Sequence, residues 1–254
     1  MATRDSYPAG TPNWVDVSVD DVAAASAFYQ ALFGWDPVPT EVDGEVIYTN
    51  FHLDGATVAG LGSKMGPPMP DAWTVYVATD DVGATLEAAT AAGGRVVAGP
   101  MDVPDGKGTF GLFVDPNGAF CGLWKAGSHI GAERVNEPGT FVWNELATTD
   151  APSSVEFYSA VFGWGDSSGN GTGAVFTDPD GREICGAHAA GDGEPPFWSV
   201  WFAVDDCDAT VARVQELGGS VLVEPNDMGF GRGAVVAAPG GAVFGVGAMD
   251  HNAG

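Results

Sequence analysis

Residues 28–35 read FYQALFGW and residues 157–164 read FYSAVFGW. The offset of 129 between them is kept by Trp14 and Trp143, and by Asp16 and Glu145. One offset held by several residues marks a duplicated structural unit.

The duplication resolves further into four segments of one plan: a short alternating strand, a polar pair, then an apolar-periodic helix. They open NWVDVSVDDV (13–22), WTVYVATDDV (73–82), VWNELATTDA (142–151) and SVWFAVDDCD (199–208). Asp21, Asp81, Asp150 and Asp206 fall at matching places and suit helix N-caps, because a short side-chain oxygen can accept from the free N–H groups of a first turn. Ala25, Phe28 and Leu32 share one helix face, and Gly34 provides the stop; Ser154, Phe157, Val161 and Gly163 repeat this. Leu86 and Val211 mark the other two helices, which end in Gly93-Gly94 and Gly218-Gly219. Strand-like runs such as VIYTNFHLDG (46–55) and GTFGLFVDPNG (108–118) follow, so the unit reads βαβββ, four times over. The class is α+β, with one domain at 11–125, a linker at 126–138 that lacks an apolar period, and a second domain at 139–248.

Bulk composition narrows the functional classes. Nine Lys+Arg against 34 Asp+Glu give a formal charge of −25, which repels phosphate backbones and anionic lipid. Nucleic acid and membrane are therefore excluded as expected partners. No apolar run approaches the ~20 residues of a membrane span. MATRDSYPAG has no signal-peptide pattern, and the three cysteines Cys121, Cys185 and Cys207 are odd in number and widely spaced. They suggest neither a disulfide framework nor a CxxC metal site, so a cytoplasmic location is expected.

A duplicated βαβββ module carrying FYxxxFGW, with GTFGLFVDPNGAFCGLW (108–124) closing its first pair, resembles the vicinal oxygen chelate superfamily. That group includes glyoxalase I, extradiol dioxygenases and bleomycin-binding proteins. Within it the pattern is similar to two-domain actinobacterial proteins labelled glyoxalase-like or hydroxylase. The resemblance implies two tandem domains, each an incomplete barrel around a concave pocket. It also implies metal ligands at set places: His, Gln or Glu on first strands and Glu near the ends of last strands. Those places hold Trp14, Thr74, Trp143, Ser199, Gly122 and Gly245. Indole and glycine cannot ligate a divalent ion, and a neutral hydroxyl ligates poorly. At the remaining slots only Cys185 and His188 could coordinate, each without partners. The expectation is a protein with no metal and no cofactor.

Strand alternation then assigns the pocket lining. Val15, Val17 and Val19 pack on the helix, which leaves Trp14, Asp16 and Ser18 on the concave side, with Trp143, Glu145 and Ala147 matching them. Thr74 and Tyr76, Ser199 and Trp201 complete the two centres, with Phe120 and Trp124 on the closing strand of the first domain. Tyr48, His52, Phe110 and Met228 are the further lining candidates. Aromatic walls with few polar groups suit a flat hydrophobic molecule, antibiotic-like or polyketide-like, held by stacking. Asp16 and Glu145 are the candidate acid/base residues if the bound molecule is turned over, with Tyr76 as partner acid in the first pocket. Binding by sequestration, or in support of biosynthesis, is the leading reading. A metal-independent cyclase, isomerase or hydratase is the alternative, and a metal-dependent lyase or dioxygenase comes after it. Either a monomer or a homodimer is compatible with the fused domains.

Overall fold

The computed structural model describes residues 2–42, 44–64, 70–168, 173–229 and 231–249. His251 and the rest of the tail, 250–254, lie outside the described residues. The first half contains β1 (Ala2–Thr3), β2 (Pro12–Val19), α1 (Val22–Phe33), β3 (Asp36–Val42), β4 (Glu45–Leu53) and β5 (Ala56–Ser63). It continues with β6 (Ala72–Ala78), α2 (Val82–Ala91), β7 (Arg95–Val103), β8 (Gly108–Val114) and β9 (Phe120–Ala126). After β10 (Arg134–Val135) the plan repeats as β11 (Phe141–Thr148), α3 (Ala151–Phe162), β12 (Gly165–Asp166), β13 (Gly173–Thr177) and β14 (Glu183–Ala189). The last module is β15 (Phe197–Ala203), α4 (Cys207–Glu216), β16 (Ser220–Asp227), β17 (Gly231–Ala237) and β18 (Val243–Met249).

Two eight-stranded sheets result, in the orders β3-β4-β5-β2-β6-β9-β8-β7 and β12-β13-β14-β11-β15-β18-β17-β16. In each, two βαβββ modules meet at an antiparallel pair of first strands, β2 with β6 and β11 with β15. This is the tandem α+β half-barrel expected from the repeat. All four aspartates cap their helices, accepting from Ala24, Ala84, Ser153 and Ala209 at 2.9–3.0 Å. Gly34 and Gly163 stop α1 and α3 at φ 72° and 74°, a left-handed conformation that favours glycine.

The helix faces are wider than the sequence suggests. Tyr29 and Tyr158, outside the expected stripe, are fully buried beside Phe28 and Phe157. The reason is two-sided packing: α1 faces its own sheet and also the other half of the chain, where Tyr29 and Phe33 meet Phe244 and Phe33 meets Phe202. The repeated octapeptide is therefore a clasp. Trp35 donates its indole N–H to Gly139 O at 2.7 Å, and Trp164 donates to Gly10 O at 2.6 Å. Donors and acceptors both stand 129 apart, so one contact is made twice about a pseudo-twofold axis.

The segment expected as a linker, 126–138, runs as a strap held to the first half. Ala132 N–H and Glu133 N–H donate to Asn13 O and Thr57 O, and Glu133 accepts from Thr57 N–H at 2.7 Å. Arg134 pairs with Asp54 and Glu137, and β10 pairs with β1. The strap is anchored by backbone bonds and ion pairs, which leave no hydrophobic periodicity to read.

Candidate functional site

The two concave centres have the same frame and different contents. In the first, β2 and β6 place Trp14 opposite Tyr76 and Asp16 opposite Thr74. Tyr48 reaches across from β4: its hydroxyl donates to Asp16 Oδ2 at 3.0 Å and accepts from Trp14 Nε1 at 3.1 Å. Tyr76 donates to the same Oδ2 at 3.1 Å. Asp16 Oδ1 is buried with no partner. Burial pushes the Asp16 carboxyl up to about 6, against the two tyrosine hydrogen bonds that favour its charge.

Trp14, Asp16, Thr74 and Trp124 are all buried, so this centre is closed over by its own side chains. His129 from the strap contributes to that closure. Its ring lies edge-on to Trp14 at 4.5 Å and to Trp124 at 5.3 Å, while Trp124 donates to His129 O at 2.8 Å. Burial pulls the His129 imidazole down to about 4, so it sits there neutral. The sequence placed His129 in a linker and gave no sign of this role. His52 Nε2 lies 3.4 Å from Thr57 Oγ1. Phe110 and Phe120 are partly buried on β8 and β9, Phe110 opposite Trp124 and Phe120 opposite Val114.

The second centre is open. A cleft of about 1060 Å³ is lined by Trp143, Trp201, Phe197, Leu222, Met228 and Met249 on its apolar side, and by Glu145, His188, Glu194 and Ser199 on its polar side. Of the residues expected here, Trp143, Glu145, Ser199, Trp201 and Met228 therefore come together, while those of the first half do not border this cleft. Trp143 donates to Glu145 Oε2 at 2.7 Å, and His188 Nδ1 lies 3.4 Å from Glu145 Oε1. The Glu145 hydrogen bond raises the His188 imidazole above its ordinary value. Expected to stand alone, His188 is instead the exposed half of a carboxylate–imidazole pair.

At places where the resemblance implies metal ligands, glycine leaves the space to other side chains. A Cβ at Gly122 would lie 2.3 Å from the Tyr76 ring, and one at Gly245 would lie 2.1 Å from Trp201. A Cβ at Gly60 would meet Tyr48 Oη at 1.9 Å, and at Gly186 would meet Glu145 Oε2 at 2.3 Å. Aromatic rings and a carboxylate thus occupy the space that a ligating side chain would need. No group of three or more His, Cys, Asp or Glu converges among the described residues. The donor set does not fit a divalent ion, which needs several N or O ligands at one point. Among the described residues, no helix is long and apolar enough to cross a membrane.

The model of the Glyoxalase/Bleomycin resistance protein/Dioxygenase superfamily matches residues 11–120 and 140–246. "Putative glyoxylase CFP32" of Mycobacterium tuberculosis is 41% identical, with 97% of each chain covered. The "Anthracycline biosynthesis protein DnrV" of Streptomyces peucetius is 39% identical over 94% of each. Among solved structures, the Mn(II)-bound glyoxalase from Novosphingobium aromaticivorans aligns with TM-score 0.67 at 19% identity, over 94% of this chain and 82% of that one. With its two matched segments and its paired half-barrels, the chain belongs to the glyoxalase/bleomycin resistance protein/dioxygenase superfamily.

Proposed function

We propose that this protein binds a planar hydrophobic molecule of polyketide type in the cleft of its second half, without a metal. The cleft's composition carries the reading: four tryptophans, Phe197 and two methionines line it, beside a few polar residues such as Glu145, His188 and Ser199. Indole faces and thioether sulfurs suit a flat ring system, and Glu145, His188 and Ser199 offer hydrogen bonds to its substituents. The volume lies just above the usual range of small-molecule sites, about 300–1,000 Å³. Support also comes from the relative named for anthracycline biosynthesis, a process that handles such compounds. Sequestration, or presentation to a biosynthetic partner, follows from binding alone.

One observation favours a second reading. The Glu145–His188 pair can hold and move a proton at the cleft edge, so a metal-independent acid/base step on the bound molecule is chemically open. Asp16 is less suited to that step, because Tyr48 and Tyr76 enclose it. Native mass spectrometry of protein purified from its own host tests both readings. A retained aromatic metabolite at unit stoichiometry supports the proposal, and stoichiometric divalent metal contradicts it. If Glu145→Gln binds the metabolite unchanged but no longer converts it, the acid/base reading prevails.

A further inference from the structure

Strands β17 and β18 repeat β8 and β9 position by position, so each half shows what the other does at the same place on its concave floor. In the first half Phe110 stands opposite Trp124, and Leu112 opposite Gly122. In the second half the matching pairs are Gly233 with Gly247, and Val235 with Gly245. An aromatic pair is exchanged for a glycine pair on an otherwise equivalent floor.

The Trp124 indole shows what that floor accepts. It is buried, and it lies so close across the two strands that a Cβ at Gly108 would run into its ring. His129 covers it edge-on at 5.3 Å. In the second half Gly231 takes the place of Gly108 and Gly247 that of Trp124, and Gly247 lines the open cleft. Gly247 belongs to a strand paired in unbroken register with β17, so no turn or bulge calls for glycine there. Glycine inside a strand weakens it, and one recurring use is to let another group come close to the backbone. The side chains beside it are adaptable. Met228 Sδ would lie 2.8 Å from a Cβ at Gly233, and Met249 borders the cleft; flexible thioether chains reshape around what they meet.

The width of the floor sets the size of the ligand. Trp143 pairs with Trp201, and Trp201 with Gly245, on the adjacent strands β11, β15 and β18. A molecule that stacks on Trp143 and also reaches Gly247 therefore crosses two strand spacings, about 10 Å. A tricyclic aromatic system spans that length, and mono- and bicyclic rings fall short.

We infer that the second cleft holds a subsite for the terminal ring of a fused polycyclic aromatic ligand, lying over Gly247 where the first half places its own Trp124 indole. The lack of a side chain at 247 then decides how long a ring system the cleft takes. This rests on the reading of the cleft given above, and adds to it the ligand's size and direction: from Trp143, past Trp201, to β18.

Calorimetric titration of the full chain with dihydroxyanthraquinone and with dihydroxynaphthalene reads the subsite as a difference between two probes. The wild type is expected to bind the tricyclic probe at least about tenfold more tightly, because only that probe buries a ring over Gly247. Gly247→Val introduces a residue suited to a strand and fills the subsite. It should abolish the preference and leave the affinity for the naphthalene within about threefold of wild type. Gly247→Ala, a smaller addition, should cut the preference to about threefold, and it carries the test if Gly247→Val fails to fold. A full preference retained by folded Gly247→Val, or by Gly247→Ala in its place, overturns the inference. So does a wild type that binds both probes equally. A wild type that binds neither probe contradicts the reading of the cleft itself.

Discussion

Asp16→Asn probes the closed centre of the first half through its pH dependence. The carboxyl is held near pKa 6 in the folded protein, mainly by burial, against an ordinary value of 3.8. A folded-state pKa above the unfolded one means that the native state binds the proton more tightly. Stability from this group is then fully present below pH 4 and is lost as pH rises through about 6. The gap corresponds to about 3 kcal/mol. Asparagine cannot ionise, and its carbonyl oxygen can still accept from Tyr48 and Tyr76. The stability of Asp16→Asn relative to wild type should therefore climb by about 2 kcal/mol between pH 4 and pH 7, and level off above. Urea unfolding of both proteins across that range measures the difference, and subtracting wild type removes the contribution of the other acidic groups. A difference that does not change with pH would refute the burial argument. One that falls with rising pH would mean that the tyrosine hydrogen bonds outweigh burial.

Two further predictions follow from the same geometry. Tyr76→Phe removes one of the two donors that favour ionised Asp16, so it should push the Asp16 carboxyl higher and destabilise the protein more at pH 7 than at pH 4.5; carboxyl NMR shifts read this directly. Trp35→Phe and Trp164→Phe each leave a carbonyl of the opposite half without its indole donor, and each should cost about 1–2 kcal/mol in urea unfolding. The two losses should be similar, because the contacts are equivalent about the pseudo-twofold axis.

Much of the fold was legible because its signals are local. The aspartate caps and the glycine stops act within a turn of their own helix, and Val15, Val17 and Val19 alternate as a half-buried strand requires. Tyr29 and Tyr158 were missed because a one-sided helix stripe does not register a helix packed on two faces. His129 was missed because its strap is held by hydrogen bonds and by Glu133 and Arg134, none of which leaves a period. Alternation placed Trp14, Asp16, Trp143 and Glu145 on the concave faces, but it does not say which ring covers which glycine. Tyr48 over Gly60 and Tyr76 over Gly122 close the first centre. In the second half the run after α3 has no counterpart to Tyr48, and Glu145 turns to Trp143 and His188 instead. The difference between a closed and an open centre therefore rests on contacts between distant strands.

Metal-free binding of a planar aromatic molecule in the second cleft, as proposed, is read by titrating chelator-treated protein with a planar aromatic polyketide while following tryptophan fluorescence. Saturable quenching is predicted in the wild type, unchanged by added divalent metal, with affinity reduced at least about tenfold in Trp143→Ala and in Trp201→Ala. Quenching that appears only when metal is restored, or that both variants retain at full affinity, would contradict it.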